Sequence, residues 1–203
     1  LVPIIQPPIM RALTSKSERR VRMPYTQRTI SRRTRILFPL AVTLVVGILV
    51  PFATPLIGML MLGNLMRESG AVERLTKASS QEIANIVTLF LGLAIGSTMQ
   101  AEFFLKLDTL KILLLGILAF GLDTAAGLLF AKGLNWASRG GLNPLIGAAG
   151  ISAFPMAARV VQRIGQEEDF ENFLLMHAMG ANAAGQVASV VAGGVVLALL
   201  GAG

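Results

Sequence analysis

Long apolar runs punctuated by short polar clusters set the pattern of this chain. From Ile36 to Met66 almost every position is apolar. As one helix that run would reach ~46 Å, against a bilayer core of about 30 Å. Pro51 and Pro55 divide it, predicting a span over 36–50, a break, and a shorter helix over 56–66. Further spans are predicted over 82–99 and 109–131, the first carrying Gly92 and Gly96 at a spacing that lets another helix approach closely. An apolar stretch at 143–160 is broken internally. A last one covers 170–200, with Asp169 as N-cap and an interruption near Gly180.

Two segments fall outside this pattern. Residues 1–10 hold three prolines and a lone polar residue, Gln6, and read as the end of a preceding broken membrane segment. Residues 11–35 form a basic loop, partly helical at most. It carries nine of the eighteen Lys and Arg residues against one acid, Glu18. The expected architecture is therefore an all-α polytopic membrane protein, a transporter-like bundle with broken or re-entrant helices. Leu1–Ile4 ahead of Arg11 faintly echoes Ala153–Met156 ahead of Arg163. The echo suggests one of two inverted repeats plus the end of the other.

Composition agrees. Charged residues make up 14% and mean hydropathy is +0.68, whereas soluble domains carry about 25% charged residues. The net charge of +7 concentrates beside a span, so the positive-inside rule places loop 11–35 in the cytoplasm, near anionic lipid, rather than on nucleic acid. The absence of cysteine and the single His177 exclude thiolate and histidine metal clusters. The opening residues lack a charged start and a small-residue cleavage site, so they are not a signal peptide, and the chain is expected to be the later part of a longer protein.

Candidate chemistry gathers at NPLIGAAGISAFPMAAR, Asn143 to Arg159. Pro144, Gly147, Gly150 and Pro155 fall within thirteen residues, a pattern no continuous membrane helix needs. Irregular backbone at membrane depth lines cavities, and its free carbonyls hold ions in transporters; the plainer reading is a Gly/Pro-rich connecting loop. Helical geometry would put Asn143, Gly147 and Gly150 on one face. Asn182, Gln186 and Ser189 form a polar stripe at helical spacing on the last span. Asn143, Ser152 and Asn182 offer the neutral oxygens that suit a hard cation such as Na+. Asp123 is either an intramembrane functional carboxylate or an interfacial residue bonded locally. His177 is either a satisfied interior imidazole or a proton donor.

The phrases LVPIIQPPIM, GNLMRESG, NPLIGAAGISAFPMAAR and NFLLMHAMGANAAG together closely resemble the β subunit of the sodium-pumping, biotin-dependent decarboxylases acting on oxaloacetate, methylmalonyl-CoA or glutaconyl-CoA. The resemblance runs nearly end to end and covers the C-terminal half of such a subunit. It implies a subunit that decarboxylates carboxybiotin on a carrier domain and couples this to Na+ export with proton consumption. It also implies a biotin-carrying carboxyltransferase partner of α type, a small γ-type membrane subunit, a homo-oligomeric complex and a prokaryotic inner-membrane location. Asn143, Ser152 and Asn182 would coordinate Na+, with Gly147 and Gly150 allowing close backbone approach. Arg159 would pair with the biotin carboxylate, or else snorkel to the membrane surface. Gln6, Asp123, His177 and Gln186 are secondary candidates. Ala181 stands where the family usually has proline. The half-chain alone is expected to be inactive, and the alternative function is a secondary Na+-coupled carboxylate transporter without decarboxylase chemistry.

Overall fold

The computed structural model describes residues 2–24, 29–151 and 153–201. The elements these residues form are all helical, with no strand among them. Among the described residues three helices are long and apolar enough to cross a membrane: Glu73–Thr98, Leu107–Ala137 and Leu175–Gly201. The chain is thus an all-α polytopic membrane protein. It divides into two compact units, Leu1–Gln27 with Leu114–Ser189, and Arg28–Leu113 with Val190–Gly203.

In the second unit, α3 (Arg32–Leu49) and α4 (Thr54–Ser69) pack together as a hairpin. Between them Pro51–Ala53 forms a single 3-10 turn. Pro51 starts that turn and Pro55 occupies the first turn of α4, where a missing N–H costs nothing. At 1.5 Å per residue, α3 and α4 reach about 27 and 24 Å, short of a ~30 Å core. Ser31 caps α3 from within the basic segment by accepting from the Thr34 N–H. Gly70, at φ 64°, ends α4. Next come α5 (Glu73–Ala78), a π turn over Ser79–Ile83, and α6 (Ala84–Thr98), followed by the short α7 (Ala101–Phe104) and α8 (Leu107–Ala137). A Cβ at Gly92 or Gly96 would meet nothing within 4 Å.

The first unit contains α1 (Val2–Leu13), α2 (Lys16–Arg19), most of α8, a 3-10 segment over Pro144–Ala149, α9 (Met156–Glu168) and the first half of α10 (Leu175–Gly201). α9 has a clear inner face: Ala157, Ala158, Val160, Val161, Ile164 and Gly165 are buried, the spacing of an amphipathic helix. Met10 of α1, Leu128 of α8 and Leu145 of the 3-10 segment join this core. α1 packs directly on α9. Pro7 and Pro8 lie inside α1, so the carbonyls of Pro3 and Ile4 lose their helical donors.

Several details differ from the sequence pattern. α10 is one helix of 27 residues with no interruption at Gly180. A single helical glycine costs only about 1 kcal/mol relative to alanine, and Ala181, unlike a proline, keeps its N–H. α10 starts at Leu175 rather than Phe170, because Gln162 Oε1 of α9 accepts from the N–H groups of both Leu174 and Leu175, at 2.7 Å each. Asp169 is the C-cap of α9, not the N-cap of α10. Its Oδ1 accepts from the Glu171 N–H at 3.2 Å. The basic loop is shorter than expected: α1 runs to Leu13, α2 covers Lys16–Arg19 and α3 begins at Arg32.

Candidate functional site: a gripped break ahead of α9

The break starts at a capped turn. Asn143 is fully buried. Its Oδ1 accepts from the Leu145 N–H at 3.0 Å, and Pro144 follows at the first position. Its Nδ2 donates to the carbonyls of Arg19 at 2.9 Å and Val21 at 2.8 Å. Residues 144–149 then wind as a 3-10 helix. Three residues per turn, not 3.6, set its faces, so Asn143, Gly147 and Gly150 do not share one as an α-helix would allow. Instead the two glycines meet different helices. A Cβ at Gly147 would lie 2.1 Å from the Gly127 carbonyl oxygen of α8, and one at Gly127 would lie 2.4 Å from the Gly147 oxygen. A Cβ at Gly185 of α10 would lie 2.4 Å from the Gly150 oxygen. Backbone meets backbone at both places, and only glycine permits that.

Two more amides grip the break. Gln6 of α1 donates through Nε2 to the Ala148 carbonyl at 2.7 Å. Asn182 of α10 donates through Nδ2 to the Ile151 carbonyl. Both side chains are completely buried, and among the described residues the oxygens Gln6 Oε1 and Asn182 Oδ1 have no hydrogen-bond partner. In each case the neighbour is a carbonyl, which only the NH2 end can satisfy, so the oxygen must face elsewhere.

The remaining sequence candidates are spread out. Ser152 lies outside the described residues. Arg159 is exposed on the first turn of α9, and its N–H donates to the Pro155 carbonyl at 3.2 Å. Asp123 is exposed on α8, one turn before Gly127, while its neighbour Thr124 is buried and bonds the Phe120 carbonyl. The structure does not bring Asp123 to the break. His177 is partly buried near the start of α10. The polar stripe on α10 is graded: Asn182 buried, Gln186 partly buried, Ser189 exposed. Among the described residues no group of three or more His, Asp or Glu could hold a metal.

The sequence pattern missed a second set of polar residues. Asn172 is buried and donates to the same two carbonyls as Asn143, Arg19 at 2.9 Å and Val21 at 3.3 Å. Arg19 is also buried; its Nε and Nη2 donate to Glu168 Oε1 at 3.0 and 2.6 Å. Arg22 spans Asp169 and Glu171, and Arg11 pairs with Glu167. The basic segment is thus laid along the acidic end of α9 and the residues just after it. The hydrogen bonds from Arg19 hold the Glu168 carboxyl below the usual carboxylate range, outweighing desolvation. Arg22 does the same for Asp169. The complementary charges of 11–22 and 167–171 are visible in the sequence, but nothing there marks Asn172 as their buried companion.

Broken helices whose free carbonyls meet polar side chains of neighbouring helices are the pattern of ion-coupled membrane transporters, and the turn at 143–151 with its buried amides is compatible with that class. The particular family follows from comparison. The profile of the Na+-transporting oxaloacetate decarboxylase beta subunit matches residues 1–200, and the chain belongs to that family. It is 57% identical over 197 residues to oxaloacetate decarboxylase beta chain 2 of Salmonella typhimurium, covering 97% of this chain and 45% of that protein. It is 55% identical over 201 residues to the methylmalonyl-CoA decarboxylase subunit beta of Propionigenium modestum, covering 99% and 51% respectively. The Klebsiella pneumoniae oxaloacetate decarboxylase beta chain is 56% identical over 197 residues, at 97% and 45% coverage. The chain therefore spans about half the length of these relatives.

Proposed function

We propose that this chain contributes part of the ion site of a membrane subunit that decarboxylates carboxybiotin on a partner's carrier domain and uses the reaction to export Na+. The carboxylated biotin is the substrate: its N–CO2 bond breaks, CO2 leaves, and a proton replaces it on nitrogen. Na+ is the cargo, held by neutral oxygens of Asn143, Ser152 and Asn182, with Gly147 and Gly150 letting backbone approach closely. Arg159, exposed at the head of α9, meets the biotin carboxylate, because a guanidinium pairs with a carboxylate bidentately. The partners are an α-type carboxyltransferase with its carrier and a small γ-type membrane subunit, in a homo-oligomeric complex of the prokaryotic inner membrane, with residues 11–35 cytoplasmic. A second repeat with its own broken helix completes the site.

The observation that carries this reading is the buried, unpartnered Oδ1 of Asn182 beside the break. An oxygen so placed costs about 1–3 kcal/mol unless something accepts its lone pairs. A weakly held alkali cation does so and can still leave. The test is decarboxylation of carboxylated carrier by the full-length subunit in its complex, with and without Na+. Na+ should stimulate turnover, and Asn182→Ala should raise the half-saturating Na+ concentration by about tenfold or more, as loss of metal-site support does elsewhere. Turnover indifferent to Na+ would sink the pump. Absence of turnover in a folded complex would turn the reading to a Na+-coupled carboxylate carrier without chemistry.

A further inference from the structure

We infer that Gln6 supplies a side-chain oxygen to the cation site and helps set which alkali cation occupies it; this rests on the reading above. Gln6 comes from α1, distant in sequence from the other proposed ligands, yet its amide repeats the geometry of Asn182. Each is fully buried, and each donates its NH2 to a carbonyl of the break, Ala148 for Gln6 and Ile151 for Asn182. Each leaves its oxygen buried without a partner among the described residues. Ala148 lies in the 3-10 segment and Ile151 just beyond its end, three residues on, so two helices grip one short stretch of the break. Donation from the NH2 end polarises an amide and makes its oxygen a better donor to a cation.

The chemistry selects the ligand. Two neutral amide oxygens and nearby carbonyls suit a monovalent alkali cation; a divalent ion would want carboxylates. No group of three acidic or imidazole side chains accompanies them among the described residues. The competing account is that Gln6 Oε1 binds only an ordered water.

Two substitutions separate the oxygen from the amide N–H, and both are read in the full-length subunit in its complex. Gln6→His keeps a donor for the Ala148 carbonyl and loses the oxygen; Gln6→Glu keeps oxygen and loses the donor. Two quantities are followed: the rise in Tm on titration with Na+ or Li+, and the concentration of each ion giving half-maximal decarboxylation. Gln6→His should raise half-saturating Na+ by about tenfold and change the Li+ to Na+ ratio. Gln6→Glu should lower Tm in the absence of Na+, yet still show a Na+-dependent rise with an altered ion ratio. A purely positioning role would move Tm and maximal rate while leaving the ion ratio at its wild-type value in both variants, and that result would overturn the inference. If the wild type itself shows no Na+ response, the parent reading fails first and takes this one with it.

Discussion

Asn143 and Asn172 illustrate how differently two identical side chains read in a sequence. Asn143 opens an apolar stretch, where a lone amide invites attention. Asn172 closes an acidic run and looks like a surface residue. In the folded unit both are buried, and their amide nitrogens hold the same carbonyls of Arg19 and Val21. Asn172→Ala should lower the stability of the full-length protein by about 1–2 kcal/mol, the worth of one or two hydrogen bonds. Because the acceptors are shared, Asn143→Ala and Asn172→Ala should be non-additive in a double-mutant cycle of thermal unfolding. Additive effects would mean that the two amides act separately. Gln6, Asn143 and Asn182 were legible in the sequence because each is polar among apolar neighbours. Asp123 had the same signal but is exposed on α8; polarity alone does not reveal which side of a helix faces inward.

At the scale of elements, glycine and proline carry most of the information, and it is ambiguous. The prolines at 51 and 144 mark true breaks, each starting a 3-10 turn. Pro7 and Pro8 are carried within a helix, and Gly180 passes unmarked through α10. The difference lies in what each residue touches, which the sequence does not show. Gly147 faces the backbone of α8 directly, whereas a Cβ at Gly180 would meet nothing within 4 Å. Gly147→Ala should therefore destabilise by about 1–3 kcal/mol or more through overpacking. Gly180→Ala should be neutral or stabilise by up to about 1 kcal/mol, since it gains helix propensity. Thermal unfolding of the two variants side by side checks both. A destabilising Gly180→Ala would restore a hinge at that position.

For the molecule as a whole, composition and run lengths suffice to recognise a polytopic helical membrane protein. They do not show which basic residues outside the spans have acidic partners. The sequence suggests a basic loop facing anionic lipid, yet Arg11, Arg19 and Arg22 are paired with Glu167, Glu168, Asp169 and Glu171. Those partners lie almost the whole unit away in sequence, beyond any local pattern. Glu168 and Asp169 have depressed carboxyl pKa values in the fold, from hydrogen bonds to Arg19 and Arg22. Their stabilisation is therefore complete above the ordinary carboxylate range and is lost as pH falls through the depressed values. Hydrogen-exchange protection factors of residues 11–22, taken relative to the intrinsic rate at each pH, should hold from neutral pH down to about pH 4.5 and fall below the usual carboxylate range of about 4. Loss of protection already at pH 6 would mean that the pairs do not hold the segment.

The grip on the break also has a consequence in time. Gln6 and Ala148 are 142 residues apart, and Arg19 and Glu168 are 149 apart. At about 5–20 residues per second of synthesis, the first partner waits roughly 7 to 30 seconds for the second. During that interval α1 and the basic segment carry buried-type amides and a guanidinium with nothing to satisfy them. The amide grip on the break is thus among the last features of the unit to form, and a nascent chain stalled before α9 leaves Arg19, which the folded unit buries, without its Glu168 partner.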